Sequence, residues 1–395
     1  MSGLDVAAFV DRQVEAVRRV IGGKKTLIAV SGGVDSTVSA VITHRALGDN
    51  LVCVFIDDNF MRLGEPDRVK AMLSASPLNL PVKVRDERGR FMEALAGLSD
   101  AEEKRKAFRE TFYETLSDVA WAEMCEYLVQ GTIKADIDET KGGVKTQHNI
   151  LEQIGIDPVE RFGFKVVEPI APLYKYQVRE VARFLGAPQE ASERQPFPGP
   201  GLSVRVVGEI TNDKLAQLKA ATQVVEDAFS KEKPAQYFAA ILSGARVEAP
   251  KILAREAAAA LKLERIRASY LSEKATGVVD GERRYGFVAT VEARDKSDKA
   301  IEFSYELLDN MRRVIQSNFP EVSRVLHFIA GREDEEGYHI AMRAVETKDF
   351  LTASVSEIPW QTLVATAKKI LSTCPKVTNV YYDITPKPPA TVEFE

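Results

Sequence analysis

Six residues near the start of the chain, Ser31-Gly32-Gly33-Val34-Asp35-Ser36, combine backbone freedom, hydroxyl donors and a carboxylate within one short turn. The glycines let the main chain approach a ligand without a Cβ clash. The hydroxyls of Ser31, Ser36 and Thr37 add donors, and Asp35 offers a hard oxygen suited to Mg²⁺. This set fits a polyphosphate with its cation. No Gly-Lys-Ser/Thr is present, so the loop is not of the Walker A type. Further on, Asp57 and Asp58 stand together, and Lys145, His148 and Asn149 fall in a weakly periodic stretch from Asp136 to Gly163. A loop of that length inside a domain is a lid or is disordered; a lysine on a lid would reach phosphates only on closure, whereas a lone loop lysine is more often plain surface.

The elements that must position these groups follow from hydrophobic patterning. Thr26 to Val30 is an apolar run that reads as a buried strand, and Val38, Val41, Ile42 and Leu47 recur at helical spacing up to Gly48. A strand turning through two glycines into a helix leaves N–H groups unpaired at the positive end of the helix dipole, which makes an anion site. Leu51 to Asp58, Pro81 to Val84, Tyr127 to Gln130 and Lys165 to Pro169 read as further strands. Helices are expected over Val6 to Ile21, Ala101 to Glu126 and Tyr176 to Leu185. Continuous apolar runs alternating with helices predict a doubly wound α/β domain with a parallel sheet, whose ligands sit off the carboxyl ends of the strands. Asp57 and Asp58 then lie beside the loop, and the backbone of Val54 to Ile56 can read an adenine edge.

Pro196 to Leu202 holds three prolines and two glycines and marks a boundary. Ser203 to Gly208 reads as a strand, and Thr211 to about Leu263 as mostly helical. The tail repeats itself: Tyr285-Gly286-Phe287-Val288-Ala289 resembles Tyr338-His339-Ile340-Ala341-Met342, and Glu321 to Ile329 resembles Lys376 to Ile384. Each unit reads strand, helix, strand, too little to bury a core alone; two packed about a pseudo-twofold axis would do so. The expected organisation is a nucleotide-binding domain over 1–200, a helical connection over 201–284 and a duplicated α+β domain over 285–395, with repeats at about 285–330 and 338–395.

Bulk properties narrow the function. The 395 residues are 45% apolar and 28% charged, an ordinary composition for a folded chain of two or three domains. A net charge of −5 argues against a protein that coats nucleic acid. Cys53, Cys125 and Cys374 lack metal-ligand spacing and read as reduced core thiols. Neither a basic-then-apolar leader nor an apolar run near eighteen residues is present, so the expected location is the cytoplasm.

The hexad resembles the pyrophosphate-binding loop of N-type ATP pyrophosphatases, of adenine nucleotide alpha hydrolase-like fold. Over nearly its whole length the chain resembles the ATP-pyrophosphatase subunit of GMP synthase. The resemblance is carried by the hexad, Asp57 through Arg62, Glu103-Lys104-Arg105-Lys106, Gln130-Gly131-Thr132, Lys145 with His148-Asn149, Pro196 to Leu202 with Arg205, Arg343 to Thr347, and the terminal Asp383-Ile384-Thr385-Pro386-Lys387-Pro388-Pro389-Ala390-Thr391-Val392-Glu393-Phe394-Glu395. It implies that ATP adenylates the C2 oxygen of xanthosine monophosphate (XMP) and that ammonia displaces AMP to give GMP. ATP and Mg²⁺ would be held by Ser31, Gly32, Gly33, Val34, Asp35, Ser36, Val54, Ile56, Gly131 and Thr132, with Asp35 on the metal and Asp35 and Lys145 in the chemistry. Arg205, Arg283, Lys387 and Glu393 match positions that hold XMP. Three departures stand out: Gln195 replaces the family's His, Asn59 its Gly, and Asp280-Gly281-Glu282-Arg283 exchanges the first two residues of its Gly-Asp-x-Arg. A fused glutaminase domain is not expected, so ammonia would come from a separate glutaminase subunit. The doubled tail implies a monomer, with a homodimer as the alternative. Another adenylating pyrophosphatase, for tRNA thiolation or NAD synthesis, and a non-catalytic nucleotide-binding regulator are the competing readings.

Overall fold

The apolar runs of the first 200 residues form a five-stranded parallel sheet of order β3-β2-β1-β4-β5. These strands are β1 (Thr26–Ala29), β2 (Leu51–Asp57), β3 (Val82–Asp86), β4 (Tyr127–Val129) and β5 (Lys165–Val167) in a computed structural model. It describes residues 4–141, 158–192, 195–279, 282–332, 336–347 and 351–395. The intervening helices are α1 (Val6–Ile21), α2 (Val34–Leu47), α3 (Glu65–Ser74), α4 (Arg88–Ala94), α5 (Ala101–Glu123), α6 (Lys134–Lys141), α7 (Pro158–Phe162), α8 (Lys175–Phe184) and α9 (Gln189–Ser192). Gly22 and Gly48 close α1 and α2 at positive φ (63° and 55°). Phe9, Val17, Val38, Ile42, Val178 and Val181 join the strand residues in one core, so the sheet is covered as its uninterrupted apolar strands require. Cys53, Cys125 and Cys374 are buried free thiols.

Contacts divide the chain into two compact units, Met1–Ala94 with Ala107–Gly199, and Leu95–Lys106 with Pro200–Glu395. The second unit adds α10 (Asn212–Phe229), β6 (Gln236–Leu242), β7 (Arg246–Val247), α11 (Lys251–Ala260), β8 (Arg267–Val279), β9 (Glu282–Glu292), α12 (Tyr305–Asn318), β10 (Val322–Gly331), β11 (Tyr338–Glu346), β12 (Ser354–Val355), α13 (Trp360–Thr373) and β13 (Val377–Asp383). Two expectations need correction here. Residues 201–284 are not a helical connection: β6 runs antiparallel to β11, and β8 antiparallel to β9, so the stretch supplies sheet to the repeated units. Short apolar runs such as Tyr237 to Leu242 do not tell strand from buried helix by periodicity, and the ladder to β11 decides. Ser203 to Gly208 is likewise no strand; Gly201–Arg205 is a buried 3₁₀ turn, entered through Gly201 at φ 60°.

The same order of elements occurs twice in the second unit. β9-α12-β10 and β11-α13-β13 each place their two strands parallel, while β10 and β13 pair antiparallel. The two units thus meet strand to strand about a pseudo-twofold relation, and the second core runs across both.

Candidate active site

The glycine loop begins where β1 stops. Gly32 takes φ 77°, and a Cβ there would lie 2.6 Å from Val69 Cγ2, so both backbone and packing call for glycine. Gly33 is the N-cap of α2 and brings no side-chain cap. The N–H groups of Val34, Asp35 and Ser36 therefore open the helix with no turn before them, at its positive end. The hydroxyls hold the loop's shape: Ser36 Oγ accepts from the Ser31 N–H at 3.2 Å, lies 3.2 Å from Ser31 Oγ and donates to the Gly33 carbonyl at 3.1 Å. Gly131, leaving β4, presses on the same turn, since a Cβ there would sit 3.0 Å from Asp35 C and Ser36 N.

Asp35 carries the loop's negative charge. Its Oδ2 accepts from Lys175 Nζ, at the start of α8, at 2.5 Å, whereas its Oδ1 is buried and has no hydrogen-bond partner. An orphaned carboxylate oxygen beside an uncapped helix start fits a divalent cation shared with phosphates, because Mg²⁺ commonly takes only one or two protein carboxylates. Among the described residues no group of three His, Cys, Asp or Glu is placed to hold a metal alone.

Beside the loop, the Val30 N–H donates to the Val54 carbonyl at 2.8 Å, so the Val54 peptide faces β1. Strand alternation turns Ile56 to the same side, and β1 pairs with β2 only as far as Val54. The Ile56 main-chain edge thus lies beyond the end of the β1 pairing, while the Val54 carbonyl is already engaged. Asn59 adopts φ 73°, the conformation a glycine would take most easily. Asp58 is buried and accepts from the Phe60 N–H at 2.7 Å, and Asp57 accepts from the Asn59 N–H at 3.2 Å, so this pair shapes the strand end. The Thr132 hydroxyl donates to Glu168 Oε1 at 2.5 Å and is fully buried. Lys145, His148 and Asn149, and with them the expected lid, lie outside the described residues, as do Asp280 and Gly281.

In the second unit, Arg205 and Glu393 do not stand as separate binding groups but clasp each other, Nε to Oε2 at 2.8 Å and Nη2 to Oε1 at 2.9 Å. Gln236 Nε2 adds a bond to Glu393 Oε1 at 2.9 Å, and the guanidinium lies 4.1 Å from the Phe238 ring centroid. Arg283 donates to Glu102 Oε1 at 2.7 Å, and Lys387 pairs through its backbone with Ala353. The tail that carries Lys387 and Glu393 is anchored from below. Arg324 and Arg343, both fully buried, each donate to Asp383 Oδ2 at 2.7 Å, and both bond the Thr391 carbonyl at 2.9 Å. Burial lowers the Arg324 guanidinium to about 10 against the pull of Asp383.

Sequence reasoning missed Lys175, Gln236 and Glu102. Lys175 is one basic residue between two tyrosines, and nothing local distinguishes it from a surface lysine. A cavity of about 770 Å³ in the second unit is lined by Arg246, Glu292, Arg294 and His339. It opens at the far end of β9 from Arg283, roughly 30 Å along the strand. There Glu292 already takes Arg246 at 2.6 Å and Arg294 at 3.2 Å.

Residues 329–394 match the family described as GMP synthase C terminal domain. The chain is 43% identical over 391 residues to the B subunit of glutamine-hydrolyzing GMP synthase from Sulfurisphaera tokodaii, covering 99% of each. It is 40% identical to the protein of the same name from Saccharolobus solfataricus, over 99% of this chain and 100% of that one, and 40% identical to the one from Methanopyrus kandleri, over 99% of each. Among solved structures, NMN synthetase from Francisella tularensis overlays 51% of this chain and 79% of its own, at 14% identity and a TM-score of 0.39.

Proposed function

Because this chain belongs to the family of GMP synthase B subunits, we propose that it uses ATP to convert XMP to GMP, with ammonia delivered by a separate glutaminase subunit. The XMP C2 oxygen attacks the α-phosphorus of ATP, forming an O–P bond as the bond to pyrophosphate breaks. Ammonia then adds at C2, and AMP leaves with the oxygen while the nitrogen gives up its excess protons. An amide-like oxygen leaves poorly until it is esterified, which is why ATP is consumed.

The observation that carries this reading is the uncapped start of α2 behind Ser31–Ser36, with the Asp35 Oδ1 atom orphaned beside it. The main-chain N–H groups bind the β- and γ-phosphates, where negative charge accumulates as pyrophosphate departs. A Mg²⁺ held through Asp35 would supply further neutralisation of that charge. Lys175, which neutralises Asp35 in the structure, then faces the phosphates instead. Ile56 reads the adenine edge through its main chain, and Gly131 keeps the β4 exit close to the loop. Lys145, which lies outside the described residues, takes a part in the chemistry on the family resemblance alone.

In the second unit, Arg205, Arg283 and Lys387 supply cations for the XMP phosphate, and Glu393 accepts a purine N–H. With its single carboxylate already shared with Arg205 and Gln236, Glu393 is held in place before substrate arrives. The internal pairing of β10 with β13 supports a monomer.

The test is direct. With ATP, Mg²⁺, XMP and ammonium, the chain should release pyrophosphate and form GMP; absence of both products from folded protein overturns the reading. Glutamine should replace ammonium only when a second polypeptide is added. Sedimentation equilibrium should give a single-chain mass, and an obligate dimer refutes the monomer.

A further inference from the structure

The stretch Glu103-Lys104-Arg105-Lys106 carries part of the family resemblance, yet the reaction described above gives it no task. Asp100 caps this helix start, its Oδ1 accepting from the Glu102 and Glu103 N–H groups at 2.9 and 3.0 Å. Lys104 is 1% exposed, an uncommon position for a lysine. Its Nζ donates to the Val206 carbonyl at 2.8 Å and the Gly208 carbonyl at 2.7 Å, and it ion-pairs with Glu395 Oε2. An ammonium has three donors, so all are spent. Glu395, 2% exposed, also accepts from the Gly208 N–H at 2.7 Å through Oε1.

The acceptors stand next to the proposed XMP ligands. Val206 follows Arg205 directly, and Glu395 lies two residues beyond Glu393. Two residues before Lys104, Glu102 holds Arg283 at 2.7 Å. One helix turn thus touches the segments that carry three of the four groups assigned to XMP. Desolvating an ammonium costs several kcal/mol unless the geometry compensates it. A plain apolar contact would stabilise the fold as well, so stability alone does not account for the lysine.

We propose that Lys104 is a positioning residue for the nucleotide to be aminated: through Glu395 and the Val206 and Gly208 carbonyls it fixes the segments bearing Glu393 and Arg205. This rests on the XMP reading. Steady-state kinetics of ammonia-dependent GMP formation by the full-length chain test it, with XMP varied at saturating ATP and the reverse. Two variants are used, Glu395→Gln and the paired Lys104→Met with Glu395→Leu, whose apolar pair keeps the buried volume filled. In each variant, KM for XMP should rise about tenfold or more while KM for ATP stays within about threefold. Either folded variant with an unchanged KM for XMP overturns the proposal. So does a fall in kcat alone that follows a lowered melting midpoint, because that is the signature of a merely structural lysine. If one variant fails to fold, the other decides. Failure of the unmodified chain to make GMP would instead sink the XMP reading itself.

Discussion

At Ser31–Ser36 the groups presented are main-chain N–H and hydroxyls, and the Asp35–Lys175 pair is 28% and 46% exposed. Along Thr385–Glu395 and the strand before it, the carboxylates of Asp383 and Glu395 are 0% and 2% exposed, each against a buried cation. In the first region, charges can exchange partners when a ligand arrives. In the second they cannot, because separating a desolvated pair costs far more than parting one in water. Variants of the loop should therefore lose chemistry with stability intact, and stripping the shared carboxylate from the tail's buried arginines should cost stability. The largest effect is expected at Asp383. Asp383→Ala leaves Arg324 and Arg343 buried without their shared counter-ion, and chemical denaturation should show a loss of about 3–5 kcal/mol. A loss under about 1 kcal/mol would erase the contrast between the regions.

Asp35→Asn tests the other side. It keeps size and removes charge, so kcat/KM with XMP and ATP should fall about 10²- to 10³-fold, or roughly 3–4 kcal/mol of transition-state stabilisation. The melting midpoint should move little, since one oxygen of Asp35 already lacks a partner and the other faces a half-exposed lysine. A midpoint that falls in step with activity would make the loop as structural as the tail.

The tail also predicts a pH signature. Burial raises the Glu395 carboxyl from 4.5 to about 7, opposed by Lys104, the Gly208 N–H and Lys214. The folded state then holds this proton more tightly than the unfolded chain, so folding takes up a proton between pH 4.5 and about 7. Stability contributed by the protonated carboxyl is complete below 4.5 and is lost as pH rises through about 7. Relative to Glu395→Gln, the unmodified chain should lose stability as pH rises across that window. A flat difference would mean that Lys104 alone holds the carboxylate charged.

How far this contrast is legible in the sequence depends on whether a feature is local. The strand-glycine-helix turn is written in consecutive residues, and the parallel sheet in apolar runs of strand length, so both emerge from pattern alone. The repeat is legible for the same reason, as one short pattern occurs twice. The tail's anchoring is not. Arg324 and Arg343 look like ordinary cations on half-polar strands until β10 and β11 bring them to one Asp383 oxygen, 59 and 40 residues away. The clasp of Arg205 with Glu393 spans 188 residues, and only the fold shows that these two satisfy each other. Strands β6 and β8 are not legible locally because their partners β11 and β9 determine them more than their own composition does.

The smallest effect is expected where the tail's unit resembles the loop in exposure. Arg283 and Glu102 pair at 2.7 Å, yet their side chains are 45% and 55% exposed. Water screens both, and Arg105 also reaches Glu102 Oε1 at 2.7 Å, so the pair shares its carboxylate rather than owning it. Glu102→Gln should change stability by no more than about 0.5–1 kcal/mol, the range for exposed pairs. Its effect on KM for XMP should be about twofold, well below that of Glu395→Gln, because the neutral amide retains an acceptor oxygen for Arg283 and the cation remains free to meet a phosphate. A change as large as that at Glu395 would show that burial is not what separates the rigid from the adaptable groups of the proposed XMP site, and that Arg283 belongs with the fixed ones.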